Sequence, residues 1–476
     1  MEWIAIPGAL ALFIAVLAAR ALAFRPEPED TREPLSADAD AGRAAANLAA
    51  MLRCKTVSSP FEGISDETEF EKFRTLLTEL YPRVHALDAP ERVGPTGLIY
   101  RIPGRNSGAP AVFMAHYDVV PADEAAWDRP AFEGIVEDGV LWGRGALDTK
   151  ITLCGAMEAA ETLLTQGFVP EHDVYLAFSG DEEIAGPSAP AAVQWFEERG
   201  IRPALVLDES GAVVEDVFPG LKAPCALIGT AEKGMMDVEL SVETHGGHAS
   251  FPPPRTSIGT LARAVTAIEG SPFKPRLTEP VAGMFNVLGR RTGFAFRLLF
   301  ANLWCFRPLL FAMAKKKGGE FNAMLRTTCA FTIMQGSNAS NVLPPKARMV
   351  ANLRLLDHTP EQAIARLQKV AGDKAIQFRK LHGMNPSPVS PAHGESWDKL
   401  KRAIEGTWPG ALVSPYIMVA CSDSRHYCRI SSNVYRFSAL ALSKEERGLI
   451  HGNNERVPLE KITDAARFYI RLMKQC

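Results

Sequence analysis

Cysteine is scarce: eight in 476 residues (Cys54, Cys154, Cys225, Cys305, Cys329, Cys421, Cys428 and Cys476), with no C-x-x-C pair and no zinc-finger spacing. That excludes a thiolate metal knot and a dithiol redox centre. The cysteines read as small buried side chains, although Cys421 and Cys428 stand close enough in sequence to be bridged. An excess of charge is also missing. The 52 basic and 55 acidic residues are well mixed, for a net charge of -3 and a pI near 6.4, so no basic surface for nucleic acid is offered. Disorder is excluded by a hydrophobic share of 47%, and the length allows two or three domains, each with its own core.

What is present begins at the N-terminus. From Trp3 to Ala19 there is no charge and almost every residue is apolar, close to the minimum that spans a bilayer. Residues 1–24 are therefore expected to anchor the chain to a membrane by a single helix, followed by a polar, proline-containing linker over 25–40. Arg20 and Arg25 follow the apolar run and no basic residue precedes it, which leaves the body on the cytoplasmic side by the positive-inside tendency. The alternative is a cleaved signal and a secreted or periplasmic protein: Ala21-Leu22-Ala23 has the A-x-A form of a cleavage site, but Glu2 stands where a basic n-region belongs.

Beyond the linker, short apolar runs alternate with amphipathic stretches. Buried strands are expected at Ala111 to Ala115, Val140 to Trp142, Asp173 to Phe178 and Ala204 to Leu207, with helices around Ile151 to Leu164 and Ala191 to Glu198. This is the pattern of an α/β domain with a mainly parallel sheet and helices on both faces. From Lys233 the texture changes. Val238, Leu240 and Val242 alternate with polar residues, and the order β-α-β-β-α-β over the following stretch is that of a ferredoxin-like α+β unit. The expected organisation is a catalytic domain in two parts, 41–230 and 381–476, interrupted by an α+β lid over 231–380 that itself carries an apolar insertion over 273–326. A cleft between the two units is the natural ligand site.

Each of the four expected strands is followed by a carboxylate or imidazole: His116 and Asp118, then Asp148 at the end of Gly143 to Lys150, then Asp181-Glu182-Glu183, then Asp208-Glu209. Ligands of open α/β sheets bind outside the carboxyl ends of the strands, so these side chains converge. Carboxylates gathered in one place repel one another unless they are protonated or share a cation. With imidazole present and thiolate absent, zinc suits the set, with cobalt or manganese tolerated.

The motifs Ala115-His116-Tyr117-Asp118, Gly143 to Lys150, Asp181-Glu182-Glu183, Leu207-Asp208-Glu209-Ser210, Gly246-Gly247-His248, Asn341-Val342-Leu343-Pro344 and His451-Gly452-Asn453-Asn454-Glu455 resemble those of the zinc aminoacylase and carboxypeptidase family, in the family's order and over nearly the whole chain. Leu303 to Leu310 and Asp423 to Tyr427 look most like its carboxypeptidase S and N-fatty-acyl-amino-acid synthase/hydrolase branch. The resemblance implies two Zn2+ per chain, bridged by Asp148, with His116 and Asp208 completing one site and Glu183 and His451 the other. Asp118 would orient His116, and Glu182 would be the general base and acid. It also implies that His248 and Asn341 sit over the metals, His248 stabilising the oxyanion, and that Arg354 pairs with a substrate carboxylate. Arg425 is a second candidate for that carboxylate.

The implied substrate is a small molecule with a free α-carboxylate beside an amide. An N-acyl amino acid with a lipophilic acyl group fits the membrane helix and the apolar insertion, whose phenylalanines and leucines are expected either to meet an acyl chain or a membrane surface, or to pack as a lid helix on their own sheet or on a partner subunit. A Gly-X type carboxypeptidase acting on short peptides is the alternative. A metal-poor, inactive homologue that only binds such molecules predicts lost ligands, and no ligand position departs from the motif. A homodimer is one expectation, since in some relatives the lid histidine serves a neighbouring subunit, and the alternative is that the long insertion of this chain blocks that dimer.

Overall fold

The computed structural model describes residues 2–28, 32–61, 65–217 and 220–476, with side chains from residue 6; residues 29–31 of the expected linker lie outside it. The apolar runs form the middle of a large sheet. His172–Ser179, Asn106–His116, Leu205–Asp208 and Val434–Arg436 lie side by side and parallel. Their buried faces meet helices on both sides, as the two-sided apolar runs require. Lys150–Thr165 and Leu459–Met473 cover one face, where Phe113 meets Tyr469 with ring centroids 5.7 Å apart. Ser188–Glu198 covers the other, where Tyr175 meets Phe196 at 5.2 Å.

Toward its edges the sheet is mixed, which corrects the expectation of a mainly parallel one. Gly97–Ile102 runs antiparallel to His172–Ser179, and Cys225–Glu232 antiparallel to Val434–Arg436 and Ala212–Val214. For Gly97–Ile102 the cause is connection length to Asn106–His116, which is parallel to His172–Ser179. A parallel return needs a crossover of a dozen or more residues, and the turn from Ile102 to Asn106 has none to spare.

Val140–Trp142 departs further from expectation, because it is not in this sheet. It pairs with Ile135–Glu137 and, antiparallel, with Arg456–Pro458 in a small separate sheet. That pairing brings the segment after His451 beside the loop that carries Asp148.

The interrupting unit has the expected order. Gly234–Glu243, Thr328–Gln335, Lys346–Leu355 and Gln377–Met384 make a four-stranded antiparallel sheet, and Ser257–Gly270 and Pro360–Ala371 pack on it through Leu261, Ile268 and Leu367. A capping box at Thr359 and Gln362 starts the second helix. The insertion is helical: Glu279–Gly289, Phe294–Ala301, Leu303–Lys317 and Gly319–Ala323. The first of these packs on the Leu412–Met418 strand through Met284, Phe285 and Tyr416. The N-terminal helix Glu2–Ala23 lies along Phe294–Ala301. All eight cysteines are free thiols, Cys421 and Cys428 included.

Candidate metal centre

The central strand ends at His116, and the chain turns immediately through buried Asp118. The Asp118 carboxylate accepts from Ser58 Oγ at 2.6 Å, from the Glu182 N–H at 3.2 Å and from the Glu183 N–H at 3.1 Å. It thereby fixes the acidic turn that follows His172–Ser179. His116 Nδ1 lies 3.0 Å from the Asp118 carbonyl oxygen and 3.4 Å from its Oδ1. This engages one ring nitrogen and aims the other, Nε2, at Asp148 Oδ1 (3.3 Å) and Glu209 Oε1 (3.4 Å), the arrangement that metal-binding histidines use.

Asp148 divides its two oxygens. Oδ1 faces His116, and Oδ2 faces His451 Nε2 at 2.9 Å. His451 Nε2 also meets Glu183 Oε1 at 3.1 Å. The loop bearing Asp148 is held by Glu455, which is fully buried. Its carboxylate accepts from the N–H groups of Gly145 (3.0 Å), Leu147 (2.6 Å) and Asp148 (3.1 Å) and from Arg144 Nη1 (2.8 Å). Gly145 is required in that loop: φ is +88°, and a Cβ there would stand 2.7 Å from Val119 Cγ1. The Asp148–Thr149 peptide is cis.

The electrostatics are those of crowded anions. Burial pushes the Glu182 carboxyl well above the usual range; His116 opposes this, and the charges of Glu209, Asp423 and Glu183 add to it. Glu209 is pushed up to about 8 by burial and by Asp148. Asp423, whose Oδ2 accepts from Ser179 Oγ at 2.5 Å, is also raised to about 8, by burial and then by Asp208 and Asp118 against the pull of that hydrogen bond. Hydrogen bonds to Asp148 and Glu183 draw His451 up to about 10. Both sets of donors close enough to share one cation contain His116: one with Asp148 and Glu183, the other with Glu182 and Glu209.

Asp208 is in neither set among the described residues. Its Oδ2 accepts from the Ser424 N–H at 3.0 Å beneath the cluster, and Glu209 takes the place beside His116. Glu209, which the sequence reading places at a strand end without giving it a role, and Asp423, which it names only within a motif, are thus added to the cleft floor. The signal for Glu209 was the adjacent pair Asp208-Glu209. Successive strand side chains point to opposite faces, so one member of such a pair had to face away, and no apolar alternation continues past Leu207 to say which.

His248 and Asn341 are not brought to the cluster by their own chain. His248 belongs to, and Asn341 immediately precedes a strand of, a two-residue ribbon, Gly247–His248 paired with Val342–Leu343, at the far end of the Gly234–Glu243 strand. That strand is ten residues long, roughly 30 Å. His248 is exposed there, accepting at Nδ1 from the Ser250 N–H (3.1 Å) and stacking on Phe251. Arg354 lies at the near end of the same sheet, opposite Met235, and does reach the cleft. No carboxylate pairs with Arg354 among the described residues. Arg425 also lines the cleft, but it is committed to the Asn385 carbonyl and to buried Glu232 at 3.6 Å.

The cleft has a volume of about 680 Å³. Asp148, Glu182, Glu183, Glu209, Asp423 and His451 form its acidic floor, Arg354 and Arg425 stand on its wall, and Met235, Met384, Met418, Leu440 and Ile450 supply apolar lining. Residues 112–475 match the model of Peptidase family M20/M25/M40. The chain belongs to peptidase family M20/M25/M40. Among members of the M20 family and their relatives, it is 34% identical over 444 residues to the probable carboxypeptidase S-like 2 of Dictyostelium discoideum, covering 90% of this chain and 84% of that one. It is 35% identical over 435 residues to an N-fatty-acyl-amino acid synthase/hydrolase of Xenopus tropicalis, again covering 90% and 84%. In three dimensions it is similar to the M20 family metallo-carboxypeptidase Sso-CP2 of Sulfolobus solfataricus, with a TM-score of 0.65, 17% identity, and 90% of this chain and 98% of that one covered. The M20 membership makes this chain a hydrolase of a divalent-metal family, and its acidic floor is the place where such a metal fits.

Proposed function

We propose that the chain is a di-zinc amidohydrolase that cleaves, and in reverse condenses, the amide bond of N-acyl amino acids with a lipophilic acyl group. One observation carries this reading: Asp148 offers one oxygen toward His116 and the other toward His451, so a single carboxylate serves two neighbouring positions. The donor chemistry fits zinc, being imidazole and carboxylate without thiolate, and divalent charge would relieve the anionic crowding that adds to burial in raising Glu182 and Glu209. Asp148 would bridge, Glu183 and His451 would complete one position, and His116 with Glu209 the other. Asp208, assigned there on sequence resemblance, instead props the Ser422 to Ser424 loop. Glu209→Gln is expected to lower bound zinc from two per chain toward one, while Asp208→Asn keeps both; elemental analysis after gel filtration decides, and the reverse pattern would restore Asp208 as the ligand.

When bound, the zinc pair polarises an amide carbonyl and acidifies water. Glu182 takes the proton from the attacking water and returns it to the leaving amine nitrogen; its burial favours the acid form that must store the proton between the two half-steps. Arg354, free of any carboxylate partner among the described residues, binds the amino-acid carboxylate through its guanidinium fork. The methionine-rich wall takes the acyl chain, and Met suits chains of varied shape. His248 and Asn341 act in this reading only if a second subunit presents them, which is what a homodimer would provide. The Glu2–Ala23 helix tethers the enzyme to a membrane.

The test is a panel of N-acyl amino acids of increasing chain length with zinc-loaded enzyme. Catalytic efficiency is expected to rise with chain length and to vanish with a chelator. Equal hydrolysis of short dipeptides, with none of long-chain substrates, would point to a carboxypeptidase instead.

A further inference from the structure

The N-terminal helix is apolar from Ile6 to Ala23 and almost all of that stretch is unburied. Its buried residues are Leu17 and Ala21, where it lies along the Phe294–Ala301 helix. The seam has a polar pin. Asn302 is fully buried, donates through Nδ2 to the Leu17 carbonyl at 3.1 Å and to the Leu298 carbonyl at 2.9 Å, and accepts from Arg20 Nε at 3.1 Å. Arg20 Nη2 also donates to the Ala301 carbonyl at 3.0 Å. Phe13 meets Trp304 edge to face with centroids 6.0 Å apart. A single satisfied amide inside an apolar seam fixes register, because any slip leaves it unpaired. The tether and the insertion are therefore one unit rather than two parts joined by chance contact.

Beyond the seam the surface stays apolar on both partners. Leu10 and Ile14 are exposed on the tether, and Trp304, Leu309 and Met313 on the insertion. Phe294–Ala301 and Leu303–Lys317 meet at 112°. Being 8 and 15 residues long, they reach about 12 and 22 Å, and neither crosses a hydrocarbon core of about 30 Å. Arg307 and Lys315 to Lys317 are exposed on the same helix as Trp304, Leu309 and Met313, the complement of an anionic headgroup layer.

We infer that the bent helix pair is a second membrane element, seated within one leaflet of an anionic bilayer beside the spanning helix. It thereby sets the mouth of the cleft at the lipid surface. This rests on the proposed acyl-amino-acid activity only in its consequence for substrate. Leu303–Lys317 ends at Gly318 and Gly319, both at positive φ (69° and 58°), and the next residue, Glu320, lines the cleft. A lipophilic substrate dissolved in the leaflet thus reaches the acidic floor along the insertion without passing through bulk water.

The experiment uses the full chain in phosphatidylcholine and phosphatidylglycerol vesicles whose acyl chains carry bromine, a contact quencher of tryptophan. In a Trp3→Phe background, bromolipid is expected to quench a component of the emission that disappears when Trp304→Phe is added. Equal quenching of the single and double variants overturns the inference, as does a chain whose exposed Trp304 face is covered by a second copy, seen as a detergent-stable dimer that Leu309→Glu splits. Leu309→Glu and Met313→Glu, both at exposed positions, are expected to slow hydrolysis of a vesicle-borne long-chain acyl amino acid severalfold while leaving a short water-soluble one unchanged; equal slowing of both substrates removes the link to the cleft. A wild-type chain that hydrolyses neither substrate refutes the proposed activity, and the quenching result stands apart from it.

Discussion

Glu182→Gln is expected to keep its zinc and to lose turnover by roughly 10²- to 10⁴-fold, the usual contribution of a positioned proton shuttle. The substitution preserves shape and removes only the capacity to carry a proton. The backbone N–H of Glu182 is held by Asp118 Oδ1 at 3.2 Å, so the turn survives, and Glu183 beside it is undisturbed. Steady-state kinetics with metal analysis on the same sample make the check: full zinc with lost kcat is the expected pair. Loss of zinc in proportion to activity would make Glu182 a ligand, as its place with His116 and Glu209 in one set of donors allows, and the proton carrier would then have to be sought elsewhere on the cleft floor.

Glu455→Ala is expected to do damage of another kind. Removing this carboxylate strands the buried Arg144 guanidinium and three N–H groups of the Asp148 loop. Breaking one side of a buried ion pair costs about 3–5 kcal/mol, and loss of a group that orients a ligand lowers metal affinity by roughly 10- to 100-fold. Thermal unfolding of the metal-free chain should show a large fall in Tm, and zinc titration a weakened affinity. Glu455→Gln, which keeps an acceptor oxygen for the loop, should fall between. An unchanged Tm for Glu455→Ala would mean that the small sheet of Ile135–Glu137, Val140–Trp142 and Arg456–Pro458 holds the loop unaided.

Much of this architecture was legible in the sequence, for identifiable reasons. The apolar runs of the central strands are buried on both faces, and Val238, Leu240 and Val242 turn one face of a second sheet toward its helices, so both sheets were visible in the pattern. Val140–Trp142 misled because three apolar residues carry no information about which sheet they join; Gly139 and Gly143 at its ends mark turns, and of its two partners Ile135–Glu137 is just before it while Arg456–Pro458 lies more than three hundred residues away. The outer strand Gly97–Ile102 misled for a related reason, since its direction follows from connection length and not from hydrophobicity. At the site, His116, Asp148, Glu182, Glu183 and His451 come together as their motifs suggested. Between Asp208 and Glu209, it is Glu209 whose carboxylate faces His116, because burial pattern ends where the strand ends and did not say which of the two would. His248 and Asn341 share a motif but lie exposed at the short ribbon of Gly247–His248 and Val342–Leu343, away from the acidic floor.

The clamp of Glu455 on the Asp148 loop joins residues about 310 positions apart. His451, the second imidazole of the cluster, comes from the same late segment. A chain emerging from the ribosome can complete the Asn106–His116 and His172–Ser179 strands long before either residue exists, and so holds His116, Asp148 and the acidic turn without the strap that orders them. The same late stretch also supplies Val434–Arg436 to the middle of the sheet and Leu459–Met473 to one of its faces, so core and centre are completed together by the end of the chain, and a chain that stops before His451 lacks the second imidazole, the strap and part of the core.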